Sequence, residues 1–144
     1  MKTTLFRSGL ASFAAVALLV APAAFAETQT YKATLTSAAE VPPNASKGTG
    51  ALTSTYDTAT KKFVWTVTFS GLSGPATAAH FHGPAAAGAN AGVVVPQKDG
   101  LTSPMKGEAT LTDAQAADLQ AGKWYFNIHT EANKGGEIRG QAMK

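Results

Sequence analysis

The sequence contains no cysteine among its 144 residues. A disulfide framework, a thiolate metal site and a thiol nucleophile are therefore excluded. The stability of the protein has to come from packing and hydrogen bonding, and any metal site has to be built from nitrogen and oxygen ligands.

Long apolar runs are confined to the N-terminus. A basic segment precedes the apolar stretch Leu10–Val20, and an A-x-A cleavage site at Ala24–Ala26 follows it. These features predict a secretory signal peptide over residues 1–26, export to the periplasm or the medium, and Glu27 as the first mature residue. Because the stretch is short for a membrane helix, we expect no membrane span after cleavage. An uncleaved N-terminal anchor is the alternative.

Charged residues are few, at 15% of the chain. The predicted mature chain, residues 27–144, carries ten basic and nine acidic residues and hence a net charge of +1. It has no run of lysine or arginine, so we expect neither nucleic acid nor an anionic membrane surface as a partner.

The predicted mature chain alternates apolar and polar residues, which is the period of a half-buried strand. Gly, Pro, Asn and Asp separate the alternating segments. This pattern predicts one all-β domain over residues 27–144, an antiparallel sandwich or barrel of about eight strands. The predicted strands are Thr28–Thr36, Gly50–Tyr56, Lys61–Ser70, Thr77–His82, Gly92–Val95, Met105–Leu111, Lys123–Thr130 and Glu137–Ala142.

One segment has helical features. Thr112 is a favourable N-cap, and Gln115 completes a capping box three residues later. We expect a short crossover helix over about 112–121 that docks through Ala116 and Leu119.

Strand alternation assigns faces to the three histidines, which are the only ones in the chain. In the segment that contains Trp124, Phe126 and Ile128, these apolar residues face the core, so Asn127 and His129 point outward. Around Phe81 the same argument places His80 and His82 together on the outer face, and around Ile138 it places Glu137 and Arg139 there.

If these strands are neighbours, His80, His82 and His129 gather on one outer surface. Three imidazoles without a thiolate suit copper(II) or zinc, with an open position for water or a further ligand. Glu137 or Asn127 could be that ligand or could orient a histidine from behind.

Arg139 could hold an anion beside the metal or pair with Glu137. The alternative for the whole group is structural. The histidines would then only anchor loops, and His82 would hold the Ala/Gly loop that follows it. Glu137 and Arg139 would form an ordinary charge pair.

No catalytic residue is predicted. Thr130 follows His129, but the histidine cannot activate the threonine hydroxyl as a nucleophile, because adjacent strand residues point to opposite faces. The acidic residues are scattered, and the glycines after His82 lead into a strand instead of a phosphate-binding helix.

Four motifs together resemble the CHRD domain, a module named for chordin that also occurs singly in exported bacterial proteins. The motifs are E-V-P-P at 40–43, A-H-F-H-G-P at 79–84, N-I-H-T at 127–130 and G-E-I-R-G-Q at 136–141. The resemblance runs from about Tyr31 to Gln141. It implies a β-sandwich or barrel of extracellular type and little more about activity. A further partner, an extracytoplasmic protein or glycan, is left unidentified by the sequence.

A more distant likeness is to Cu/Zn superoxide dismutase, which also carries H-x-H on a strand and copper on the outer face of a β-sandwich. Arg139 would then resemble the arginine that guides the anionic substrate of that enzyme. This chain lacks the cysteines and the long zinc loop of the dismutase.

We therefore expect an exported, non-catalytic CHRD-domain binding protein with a copper or zinc site at the three histidines. One alternative is a small copper-dependent redox enzyme directed at superoxide or peroxide. The other is a structural or adhesive β-domain without metal.

Overall fold

A computed structural model describes residues 26–98 and 100–144. Most of the predicted signal peptide, residues 1–25, lies outside the described residues. The elements are β1 (Thr28–Thr36), a 3-10 turn (Ser37–Ala39), β2 (Thr49–Asp57), β3 (Lys62–Ser70), β4 (Ala76–His82), β5 (Val93–Pro96), β6 (Met105–Thr110), α1 (Asp113–Gln120), β7 (Tyr125–Thr130) and β8 (Ile138–Gln141). Every predicted strand is present, with bounds shifted by at most two residues.

The eight strands form one antiparallel sheet in the order β5-β4-β7-β8-β1-β2-β3-β6. The sheet curls into a nearly closed barrel, and the predicted all-β fold with one short helix is confirmed. Gln97, immediately after β5, bridges the two edge strands. Its amide oxygen accepts a hydrogen bond from the Trp65 indole of β3 at 2.7 Å, and its amide nitrogen donates to the Lys106 carbonyl of β6 at 2.9 Å.

The barrel interior is an aromatic core. Phe81 of β4 is fully buried and contacts the rings of Phe63, Trp65 and Phe126 at centroid distances of 5.1, 5.2 and 4.8 Å. The rings meet at steep angles, the arrangement that aromatic quadrupoles favour. This packing fixes the direction of β4, so that the residues flanking Phe81 have to face out of the barrel.

Helix α1 connects β6 at one edge of the sheet to β7 in the other half. The predicted capping box is present, because Thr112 accepts from the Gln115 backbone nitrogen while the Gln115 side chain accepts from the Thr112 nitrogen. Ala116 and Leu119 are buried, as expected. Within the part of the chain that the structure describes, no helix is long and apolar enough to cross a membrane.

The outer face of β4, β7 and β8 is not an open surface, which corrects the expectation from sequence. The loop 83–92 folds back across these strands, and the segment 38–41 meets it there. As a result Asn127 is only 3% and Arg139 only 2% exposed. Alternation assigns the side of the sheet correctly, but it carries no information about loops that cover that side.

The seam is the place where Gln97 joins β5 to Trp65 and to β6. It generates a prediction about Gly107, which lies on β6 opposite Trp65. A Cβ atom at this position would lie 2.3 Å from the Trp65 ring. Gly107→Ala should therefore displace the indole from Gln97 and lower the free energy of unfolding by about 1–3 kcal/mol, measured by urea denaturation. Gly74→Ala is the matched control, because a Cβ there meets nothing within 4 Å. Equal effects of the two substitutions would contradict this account of the seam.

Candidate metal centre

The three histidines come together on two neighbouring strands. His80 and His82 lie on β4, and His129 lies on β7, which pairs with β4 in antiparallel register. One ring nitrogen from each lies within 4.8 Å of the other two. All three histidines are partly buried. It is a three-histidine cluster that could bind a metal ion.

Two of the imidazoles are held by backbone carbonyl groups. The Nδ1 atom of His82 lies 2.9 Å from the Ala91 carbonyl oxygen, and the Nδ1 atom of His129 lies 2.9 Å from the Lys134 carbonyl oxygen. A carbonyl only accepts, so Nδ1 has to carry the proton in both rings. In the neutral form of each ring the Nε2 atom is then left with a free lone pair.

These two Nε2 atoms converge on Asn127. Each lies 3.0 Å from the Asn127 Oδ1 atom, and His80 Nδ1 lies 3.2 Å from His129 Nε2. Burial lowers the pKa of His80 and of His82. The neighbouring histidines lower the His80 pKa further, whereas hydrogen bonds to Ala91 and Asn127 oppose the fall at His82. The net shift in both rings favours the uncharged form. The His82 lone pair then faces an oxygen lone pair, an arrangement that a cation would stabilise.

Arg139 supports the cluster from the side without joining it. Its guanidinium lies 3.3 Å from the centre of the Tyr125 ring, and that ring stacks on His82 at a centroid distance of 4.8 Å. The guanidinium also donates to the Asn90 side chain and to the Ala89 carbonyl of the covering loop. Cation–π contact and hydrogen bonding thus tie the loop, Tyr125 and His82 into one unit.

Glu137 is not brought to the histidines, contrary to the sequence-based expectation. Its carboxylate is fully buried and accepts hydrogen bonds from the Ser46 hydroxyl at 2.6 Å and the Ser73 backbone nitrogen at 2.7 Å. The Ser73 and Thr130 hydroxyls and the Asn133 amide bind it as well. Gly136, with a φ of +130°, bends the chain before β8 begins. Glu137 therefore joins three loops, and it does not pair with Arg139.

Glu40 is a site residue that sequence reasoning missed. Its carboxyl is 5% exposed, and its Oε1 atom has no hydrogen-bond partner in the described part of the chain. Burial raises its pKa to about 7, although the charge of Arg139 and hydrogen bonding by the Asn127 side chain oppose that rise. Glu40 thus hydrogen-bonds the Asn127 side chain, whose Oδ1 atom faces the histidines. The E-V-P-P motif at 40–43 contains Glu40 and was the available signal. It indicated the resemblance to a family, but it did not indicate that Glu40 lies beside Asn127.

Comparison with known families gives one match. The CHRD domain profile matches residues 31–142, most of the chain. The protein belongs to the CHRD domain family. Neither the curated proteins nor the solved structures contain a match.

The motifs that resemble the CHRD domain converge on this site. E-V-P-P supplies Glu40, A-H-F-H-G-P supplies two histidines, N-I-H-T supplies Asn127 and the third histidine, and G-E-I-R-G-Q supplies Arg139. The structure therefore gives a physical reason for the motifs in this chain, because residues distant in sequence meet around one amide.

The Glu137 hydrogen bonds generate a prediction about acid stability. They lower the pKa of this carboxyl from 4.5 to about 2. Because the folded-state pKa is depressed, the stabilisation is complete above about pH 4.5 and is lost as the pH falls toward 2. We expect it to contribute on the order of 3 kcal/mol at neutral pH.

Glu137→Gln should lower the free energy of unfolding at pH 7 and flatten its dependence on pH between 4.5 and about 2. Urea denaturation at a series of pH values measures both effects. Glu108→Gln is the control, because that side chain is 66% exposed in a surface ion pair. An unchanged pH profile in the Glu137 variant would show that its hydrogen bonds do not favour the ionised form.

Proposed function

We propose that this CHRD domain protein binds copper(II) or zinc through His80, His82 and His129, and that it acts as an exported binding protein instead of a catalyst. The observation that carries the proposal is the convergence of His82 Nε2 and His129 Nε2 on Asn127 Oδ1, each at a distance of 3.0 Å. Hydrogen bonds to Ala91 and Lys134 take up the protons of both rings.

The loop-anchor interpretation does not compete with this proposal, because each of the two anchored histidines has two nitrogens. His82 and His129 each anchor a loop through Nδ1, and the same hydrogen bond orients Nε2 for a metal. Backbone carbonyls behind a metal-bound histidine commonly fix its tautomer in this way. His80 has its Nδ1 atom directed at His129 and would bind metal through that nitrogen.

The non-catalytic assignment is supported by the position of Arg139. A dismutase-like reaction would need a cation that is free to guide an anion to the metal. Here the guanidinium is 2% exposed and is held by Tyr125, Asn90 and Ala89. Export rests on the predicted signal peptide at 1–26.

His80→Ala is the sharpest test of the proposed site. His82 and His129 hold loops through Nδ1, whereas the side-chain hydrogen bond of His80 is with His129 itself. The substitution should therefore preserve the fold while weakening copper(II) binding by on the order of 100-fold. We expect about one metal ion per wild-type chain, measured by mass spectrometry and by competition with a chelator, on protein without a histidine tag.

The His80→Ala/His82→Ala double variant should retain no metal. Thr68→Ala, an exposed substitution on the distant strand β3, is the control and should bind as the wild type does. A wild-type protein that takes up neither copper(II) nor zinc on titration would overturn the proposal. The histidines would then act only as loop anchors, and a protein or glycan partner would become the next subject of study.

A further inference from the structure

We propose that Asn127 is a fourth ligand, through its Oδ1 atom, and that Glu40 is the positioning residue that holds the Asn127 amide in the binding orientation. This inference rests on the proposed metal binding by the three histidines. It identifies the donor set as three nitrogens and one oxygen, and it places a buried carboxylate outside the metal-binding set.

The position of Asn127 follows from the sheet. It lies on β7 directly opposite His80 in the β4 register and two residues before His129, so it shares their face. Its side chain is 3% exposed and lies at the base of the cluster. Asn127 is thus within reach of any ion that the three imidazoles hold. Its side chain is already in place and does not have to rotate in from the surface.

The separations between donor atoms match neighbouring corners of a coordination polyhedron. Two ligand atoms about 2.0–2.1 Å from one ion are about 2.9 Å apart at a right angle and about 3.3 Å apart at a tetrahedral angle. Asn127 Oδ1 lies 3.0 Å from both His82 Nε2 and His129 Nε2, and His80 Nδ1 lies 3.2 Å from His129 Nε2. These values lie within the range that one ion with nitrogen and oxygen ligands requires, for copper(II) and for zinc alike.

Glu40 determines which end of the Asn127 amide faces the histidines. Because the Asn127 Oδ1 atom faces the two imidazoles, the NH2 group of the same amide points away from them, and the Asn127 side chain hydrogen-bonds the Glu40 carboxyl. The Glu40 carboxyl lies against the backbone of Gly136, where a Cβ atom would collide with its Oε1 atom. With the amide reversed, NH2 would donate to the two Nε2 atoms and would block a metal.

The first experiment compares Asn127→Ala with the wild type as copper(II) complexes at pH 8. If Asn127 is a ligand, water replaces its oxygen in the variant. Electron spin echo modulation in D2O should then show one more equatorial water, with the three imidazoles retained. The copper affinity should fall by about 10–100-fold. Asn127→Asp should restore the oxygen ligand, exclude the extra water and recover the affinity.

The role of Glu40 is tested by a double-mutant cycle. Glu40→Gln should weaken copper binding in the wild-type background and should have no further effect in the Asn127→Ala background, because it acts through Asn127. Ser54→Ala, another buried polar residue on β2, is the control for general loss of stability and should leave affinity unchanged. Melting temperatures of the metal-free variants separate misfolding from loss of a ligand.

Two results would overturn this inference while leaving the three-histidine site in place. One is an unchanged affinity and water count in both Asn127 variants, and the other is an equal effect of Glu40→Gln with and without Asn127. A wild-type chain that binds no copper would overturn the proposed function together with this inference.

Discussion

The carbonyl oxygen of Ala91 is the contact on which the geometry of the site depends. It accepts from His82 Nδ1 at 2.9 Å and from the Tyr125 hydroxyl at 3.3 Å, and the Ala91 nitrogen lies 3.2 Å from the same hydroxyl. One backbone unit of the covering loop therefore fixes the tautomer of a histidine and the position of the ring that stacks on it. Arg139 then secures the preceding residues of that loop. Without this contact His82 would be an ordinary strand histidine with two exchangeable proton positions.

Two buried carboxyl groups near β8 show how strongly local donors control charge. Glu137 is surrounded by hydroxyl, amide and backbone donors, and its pKa falls to about 2. Glu40 is nearly as buried but has an oxygen without a donor, and its pKa rises to about 7. Burial raises the pKa of both carboxyls, and only the donors around Glu137 reverse that shift. The first is a structural junction of loops, and the second remains available to orient a neighbouring amide.

The sequence predicted the fold and the histidine cluster because both depend on strand alternation. Phe81, Phe126 and Ile138 had to face the core, so the side chains between them had to lie on the opposite side of the sheet. The cluster also requires β4, β7 and β8 to be neighbours in the sheet. The sequence analysis assumed this arrangement, and the observed strand order supports it.

The positions of Glu40 and Glu137 could not be predicted in the same way. Both lie in irregular segments, where a residue has no fixed periodicity to assign its direction. The Glu137 partners Ser46 and Ser73 are far from it in sequence. The covering of Asn127 and Arg139 has the same origin, because the path of the loop 83–92 is set by contacts with Lys123, Gln141 and Val41 that leave no local pattern.

The structural and metal-binding interpretations of the histidines are joined by the chemistry of imidazole. A ring that anchors a loop through Nδ1 loses rotational freedom and has its remaining lone pair aimed in one direction. When His82 and His129 are anchored by carbonyls on opposite sides, their lone pairs are aimed at the same atom, Asn127 Oδ1. Folding thus orders these side chains in advance. An ion that binds there does not have to offset the entropic cost of ordering them. Loop anchoring is therefore the physical means by which this barrel prepares the proposed metal site.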